Sequence, residues 1–339
     1  MKNIDRYIYI WDIHGSWKLN NVIDEYNNWR TFFYFLGDLF DRWEFSYQNF
    51  KKIQELHKLW LANVVIWNHD IFFLMSKWLK YNTIIKQKIL EKSTMAEYNY
   101  IKQYYDELYL FNGWEQTDNS FKKALHKDLD YEEYNEKLEE LYIEVVNYLF
   151  SNFDTYIIDH NNNLLVHWWI PILPTGELVT INIDNELYSW VELIKKINQK
   201  FKLLETEWFE ILESWIDWYN KAENILSLML RLWLLKKSES IYNYWQSMYL
   251  SHIWYNSSLY DKSEIVRNTL IKELNEQWLN NIFLWHWWNK EAIDSDYWNY
   301  KSKYWEYNRV FRIDKSYNYW DLWYAIFNEK NELLKTWVF

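Results

Sequence analysis

Cysteine is absent from this chain of 339 residues, which also has only 4 glycines and 2 prolines. Without cysteine, the protein can form neither disulfides nor thiolate metal sites. Basic residues are fewer than acidic ones, with 37 Lys and Arg and 48 Asp and Glu, so the formal net charge is -11. Nucleic-acid backbones and anionic membrane surfaces select basic patches, so we expect neither of them as a partner.

Long hydrophobic runs are also missing. The most apolar run, ILSLMLRLWLL at 225–235, is short and contains a charge, whereas a membrane span needs about 20 apolar residues. The first residues, MKNIDRYIYIW, are too few and too charged for a secretory signal. We therefore expect a soluble, cytoplasmic protein. The sequence gives no indication of its oligomeric state.

Tryptophan is as abundant as glycine is scarce, with 26 residues. An average chain has about 7% glycine, which would be roughly 24 residues here. One interpretation is an aromatic-rich binding protein, whose tryptophans should line one surface. The other is a genetic code in which UGA means glycine, with tryptophan written in its place. Such tryptophans should fall at turns and motif bends, where a chain needs glycine.

Apolar runs that end in polar clusters alternate with helical patterns along the first third of the chain. The strand-like runs are 7–10, 31–36 and 63–66, and 46–61 has a helical pattern. This alternation is typical of an α/β sheet with its site at the carboxyl ends of the strands. A hairpin around HNNN, a strand over 281–286 and a terminal hairpin follow. We predict a single domain over 1–339, with helical insertions at about 76–150 and 186–250.

Polar side chains follow five of these strands, and all but Arg42 are of types that bind metals or move protons. They are Asp12, His14, Asp38, Asp41, Arg42, Asn68, His69, His167 and His286. Oxygen and nitrogen donors without sulfur suit a pair of divalent first-row ions that share one carboxylate. Two such ions about 3.5–4 Å apart clamp a phosphoryl group and lower the pKa of a water molecule. Arg42 adds a planar fork that matches phosphate oxygens.

Five motifs, DIHG, GDLFDRW, WNHD, VHWWI and LWHWW, occur in this order. They resemble the signature of the calcineurin-like metallophosphoesterase superfamily, and more narrowly that of the phosphoprotein phosphatases, GDxHG, GDxxDRG, GNH[ED], HGG and GH. FNGWEQT at 111–117 resembles the NGGxxT segment of bacterial members. The family's glycines are replaced by Trp11, Trp43, Trp67, Trp114, Trp168 or Trp169, and Trp285. This placement favours UGA-encoded glycine. A sharp turn at Trp67 would require glycine, and tryptophans here would block the ligands.

The resemblance implies a β-sandwich flanked by helices, in four αββα layers, and a two-metal site for Mn, Fe or Zn. By the family pattern, Asp12, His14 and His286 bind one ion, Asn68 and His167 bind the other, and Asp38 bridges them. A metal-bridging hydroxide would attack a phosphate ester in line. His69, oriented by Asp41, would protonate the leaving alkoxide, and Arg42 would hold the phosphate.

Two family positions depart from the pattern in this chain. Asp70 replaces the commoner glutamate, and we expect it to have a structural role. Asn256 stands where the resemblance leads us to expect a second phosphate-binding arginine. Arg231 and Arg267 are nearby candidates, and the sequence assigns the role to neither.

Three functions stay open from the sequence. DRW and HWWI suit a Ser/Thr protein phosphatase-like phosphomonoesterase, whose substrate is a phosphoprotein. WHWW at 285–288 resembles the GHW of symmetrical dinucleoside tetraphosphate hydrolases, whose substrate is a dinucleotide. If the tryptophans are genuine, the chain is instead a non-catalytic, aromatic-rich binding protein.

Overall fold

The structure is a computed structural model. It describes residues 4–338 except 93, 112, 126–128, 168–177, 179, 184–185, 197, 200, 203–263, 285–309, 313–321 and 331. The chain divides into two compact units, one formed by Met1–Asp154 with Trp320–Phe339 and the other by Thr155–Tyr319. A single domain over 1–339 stays a prediction. Within the described ranges, no helix has both the length and the apolar character needed to cross a membrane.

The first unit contains a five-stranded sheet and seven helices among its described residues. The strands are β1 (Arg6–Trp11), β2 (Thr31–Leu36), β3 (Ala62–Val65), β10 (Trp323–Asn328) and β11 (Leu333–Val338). The helices are α1 (Lys18–Tyr26), α2 (Ser46–Lys58), α3 (Asn68–Tyr81), α4 (Thr83–Lys92), α5 (Met95–Phe111), α6 (Trp114–Lys123) and α7 (Tyr131–Asn152). The predicted strands and the terminal hairpin are confirmed. Helices α3–α7 form most of the described part of 76–150.

The sheet of the first unit runs in the order β11-β10-β1-β2-β3. Strands β1, β2 and β3 are parallel, and β10 is antiparallel to β1. The β1 and β2 side chains are mostly buried on both faces, as continuous apolar runs require. Trp11 pairs with Leu36, and Leu36 pairs with Val65. The three parallel strands therefore end level with each other, at one edge of the sheet.

The second unit has its own sheet, in the order β4-β5-β8-β9. Its described strands and helices include β4 (Ile157–Ile158), β5 (Asn163–Leu165), β6 (Thr180–Ile183), β7 (Glu186–Ser189), α8 (Glu264–Glu276), β8 (Asn281–Leu284) and β9 (Val310–Arg312). Strands β4 and β5 form the predicted hairpin, and β6 and β7 form a separate one. The second predicted insertion begins with β7, helical residues follow from Trp190, and residues 203–263 lie outside the described part. The α/β class is confirmed.

Candidate metal centre

Backbone hydrogen bonds hold together the loops that follow β1 and β2. The N–H of His14 donates to the carbonyl of Asp38 at 2.5 Å, and the N–H of Gly15 donates to that of Leu39 at 3.0 Å. The N–H of Trp43 donates back to the carbonyl of His14 at 3.1 Å. Because the parallel strands end in register, these bonds place the polar residues of both loops side by side.

Three of the predicted site residues lie around the buried carboxylate of Asp38. Its Oδ2 lies 3.4 Å from Nε2 of His14 and 3.8 Å from Nε2 of His69. Ligand atoms of these three residues lie within 4.8 Å of one another, and a carboxylate oxygen of Asp12 lies equally close to one of Asp38. His14 Nε2 is buried and has no hydrogen-bond partner among the described residues. These oxygen and nitrogen donors fit a divalent Mn, Fe or Zn ion.

His69 forms a tight pair with Asp41. Its Nδ1 lies 2.5 Å from Oδ2 of Asp41, and both side chains are buried. An ionised Asp41 can only accept, so this contact favours the proton on Nδ1, and Nε2 lies on the side of Asp38. The N–H of Asp41 donates to Oγ1 of Thr117 at 2.8 Å, which anchors this loop to α6. Thr117 belongs to the FNGWEQT segment, but the sequence alone assigned it no role.

The two histidines have opposite pKa shifts. Burial, helped by the nearby Arg42 charge, lowers the pKa of His14 well below its ordinary value. Burial also lowers the pKa of His69, but the carboxylates of Asp38 and Asp41 outweigh it, so this pKa lies above its ordinary value. Burial raises the pKa of Asp41 despite its bond to His69. A neutral His14 can donate a lone pair to a metal, whereas the carboxylates beside His69 favour the protonated form that a general acid needs.

The polar residues of the two loops have unusual backbone conformations. Asp12, His14, Asp38, Asp41 and Arg42 have φ values of 46°, 42°, 55°, 79° and 60°. Each such left-handed residue costs about 1–3 kcal/mol and persists only where the surroundings enforce it. This backbone strain is concentrated in the residues that the sequence assigned to chemistry.

The expected glycine turn at Trp67 is wrong. Trp67 has φ -143° and ψ -159°, an extended backbone that any residue adopts. Trp11 is buried within β1, and neither it nor Trp43 or Trp114 has a positive φ. The ligand atoms described above gather with these tryptophans in place. Trp11, Trp43 and Trp67 therefore do not keep the ligand atoms of Asp12, His14, Asp38 and His69 apart.

The remaining predicted ligands and arginines are only partly covered by the structure. Asn68 is the first residue of α3, and its side chain is outside the described part. His167 is buried in the loop that follows β5, in the second unit. His286, Arg231 and Asn256 lie outside the described residues, and Arg267 is in α8, with an undescribed side chain. The complete ligand set stays a prediction.

Comparisons with known proteins gave structural neighbours only. No family model and no curated protein matches the chain. The solved structure of a point mutant of a cold-active protein tyrosine phosphatase has a TM-score of 0.40 at 15% identity, over 98% of this chain and 81% of that one.

Two further solved structures have TM-scores of 0.36 at 12% identity. One is a protein serine/threonine phosphatase from Saccharomyces cerevisiae with similarity to human phosphatase PP5, over 85% of this chain and 62% of that one. The other is a candidate diadenosine tetraphosphatase, over 99% and 94%. Similarities of this size carry no argument about activity, which depends on the geometry of the site.

Proposed function

We propose that this chain is a two-metal phosphoesterase that hydrolyses phosphate esters. The observation that carries the proposal is the convergence of Asp12, His14 and His69 on the buried Asp38 carboxylate, with Asp41 bonded to His69. When bound, two divalent ions would polarise the ester and lower the pKa of a water molecule, so that a nucleophile forms near neutral pH. Asn68, His167 and His286 would complete the ligand set.

The protein's own side chains supply the remaining steps. His14 is neutral and offers Nε2 as a ligand, and Asp38 offers both carboxylate oxygens. Asp41 holds the His69 ring by Nδ1, so that a proton on Nε2 can pass to the leaving alkoxide. Arg42 follows Asp41 in the loop between β2 and α2, and its guanidinium would hold the phosphate by paired N–H bonds.

Asp38→Asn tests the chemistry directly. With Mn²⁺, we expect the full chain to release p-nitrophenol from p-nitrophenyl phosphate. Asp38→Asn should lose roughly 100-fold or more of this rate, because Asp38 is the residue that would hold both ions. Asp159→Asn changes a buried carboxylate in the β4–β5 turn and serves as the matched control. No metal-dependent release by either the unchanged chain or its glycine version (positions 11, 43, 67, 114 and 285) would refute the proposal and favour a non-catalytic binder.

Within this function, we propose a Ser/Thr protein phosphatase-like phosphomonoesterase. The DRW and HWWI segments support this substrate class, whereas WHWW supports a symmetrical dinucleoside tetraphosphate hydrolase. A phosphoserine or phosphothreonine peptide and diadenosine tetraphosphate, assayed side by side at equal concentration, discriminate between the two. A higher kcat/KM on the peptide supports the phosphatase, and a higher value on the dinucleotide refutes it.

We also propose that UGA codons of this gene are read as glycine. The excess of tryptophan over glycine supports this, as do left-handed backbones at Trp60, Trp190 and Trp278. The motif positions 11, 43, 67, 114 and 285 rest on the resemblance alone. UGG codons there would refute the proposal. The glycine version should also hydrolyse p-nitrophenyl phosphate faster than the tryptophan version, and equal rates would count against it.

A further inference from the structure

Asp70, the third residue of α3, has a fully buried carboxylate that accepts three backbone N–H bonds. Oδ1 accepts from Leu39 at 2.7 Å. Oδ2 accepts from Asp38 and from Trp67, both at 3.0 Å. Burying a carboxylate is costly unless its oxygens are hydrogen-bonded, and here backbone groups from two different loops satisfy them.

These bonds join the two loops that matter for the candidate site. Asp38 and Leu39 follow β2, whereas Trp67 precedes α3, the helix that carries His69. The two successive N–H groups at 38 and 39 point at one anion, an arrangement that forms only when the backbone bends around it. Asp38 has the left-handed φ of 55°, which needs such outside support. The Asp70 carboxylate thus accepts from the backbone N–H of the residue at the centre of the candidate site.

We propose that Asp70 is a positioning residue, which holds the Asp38 carboxylate where a divalent cation binds. This inference rests on the proposed function. Both oxygens of Asp70 are bonded to backbone N–H groups, so it acts through Asp38 and not on substrate. An asparagine could not replace it, because its amide offers one acceptor oxygen, while its NH₂ group would face another N–H.

A purely structural role predicts a different result from a positioning role. If Asp70 only caps α3, its loss lowers stability but leaves the metal affinity of the folded chain unchanged. If it orients Asp38, its loss lowers that affinity, because residues that orient metal ligands are typically worth roughly 10–100-fold in binding.

Asp159 provides a matched control. Its carboxylate is also buried, and it accepts N–H bonds from Asn161 at 2.8 Å and from Asn163 at 2.9 Å. It stabilises the β4–β5 turn, which contributes none of the proposed ligands. Asp159→Asn therefore removes the same kind of group without touching the Asp38 loop.

The experiment measures Mn²⁺ binding to the metal-free full chain by titration calorimetry, together with amide hydrogen exchange of residues 36–41. We expect Asp70→Asn to weaken Mn²⁺ binding about 10–100-fold and to speed exchange at 38 and 39 about 10-fold or more. Asp159→Asn should leave the Mn²⁺ affinity and the exchange rates at 38 and 39 within about 3-fold of those of the unchanged chain. Asp70→Glu keeps two carboxylate oxygens and should recover part of both losses, which also covers the case in which Asp70→Asn does not fold.

The outcomes separate the two proposals. If the unchanged chain does not bind Mn²⁺, the metal site itself is refuted. If the unchanged chain binds but both Asp70 variants bind equally well, only the role of Asp70 is refuted. A loss of affinity in Asp159→Asn as large as in Asp70→Asn would also refute it, because the effect would then follow from general destabilisation.

Discussion

Replacing Trp60 with glycine should stabilise the protein. Trp60 follows α2, and its N–H donates to His57 at 2.9 Å, while that of Leu61 donates to Leu56 at 2.9 Å. These two bonds define a Schellman motif with Trp60 at C′, the position that glycine usually occupies. Trp60 has φ 57° and is 83% exposed, so its side chain makes little contact that would repay the strain.

The magnitude follows from two opposing effects. A residue with a Cβ in the left-handed region costs roughly 1–2 kcal/mol. Replacing Trp60 with glycine removes this cost, but it also stabilises the unfolded state by about 0.4–1 kcal/mol, because the unfolded chain becomes more flexible. The free energy of unfolding should therefore rise by about 1 kcal/mol, which is about 2–4 °C in Tm for domains of 150–250 residues. Urea unfolding followed by circular dichroism measures it without relying on tryptophan fluorescence.

Trp29 is the matched control. It is 64% exposed in the turn before β2, and its φ is not positive. Trp29→Gly should therefore lower stability by about 0.4–1 kcal/mol, since no strain is relieved. Trp278→Gly should behave like Trp60→Gly, because Trp278 has φ 57° in the same motif after α8. If Trp60→Gly destabilised the chain as much as the control does, the reasoning would be refuted.

Three further changes test the packing around the site and in the helices. Gly15→Ala should lower the free energy of unfolding in urea by about 2–4 kcal/mol, because Gly15 has φ +68° and a Cβ would lie 2.4 Å from Oγ of Ser46 and 2.5 Å from a backbone carbonyl oxygen. Adding Ser46→Gly to that variant should restore only part of the loss, since the backbone contact remains. Asp130→Ala should cost about 0.5–2 kcal/mol by removing the N-cap of α7, whereas Asp130→Asn should cost little, and equal losses would contradict the cap. Lys77→Met should lower the free energy of unfolding by about 3 kcal/mol. In the unchanged chain the Lys77 ammonium lies 2.7 Å from the Asp118 carboxylate, which would lose this ion pair. Burial lowers the pKa of Lys77 in the folded chain, so Lys77 takes up a proton on unfolding at a pH between its folded pKa and 10.5. The free energy of unfolding of the unchanged chain should therefore rise with pH towards 10.5, as measured by a pH series of unfolding curves. An equal rise in Lys77→Met would contradict this.

The C′ residue of helix α2 is a tryptophan in a backbone conformation that favours glycine. Periodicity in the sequence predicts α2, but only the backbone reveals that its C′ residue is left-handed. The sequence led us to expect glycine behind the strands, at Trp67, whereas the described backbone there is extended. The left-handed conformations instead fall on Asp12, His14 and Asp38. Composition indicates that glycine is missing, and the structure alone indicates where the backbone needs it.

The sequence by itself determined the class of fold and the chemistry available to it. Apolar runs that end in Asp, His and Asn predict parallel strands with polar residues at their carboxyl ends, because these patterns depend on neighbouring residues alone. The absence of cysteine restricts any metal ligands to oxygen and nitrogen. Only the tertiary structure decided which polar groups meet. The Asp38 carboxylate lies beside His14 and His69, and the side chains of Asp70 and Thr117 accept hydrogen bonds from backbone N–H groups of its loop. Strand register and these buried N–H groups bring residues together that are distant in the sequence.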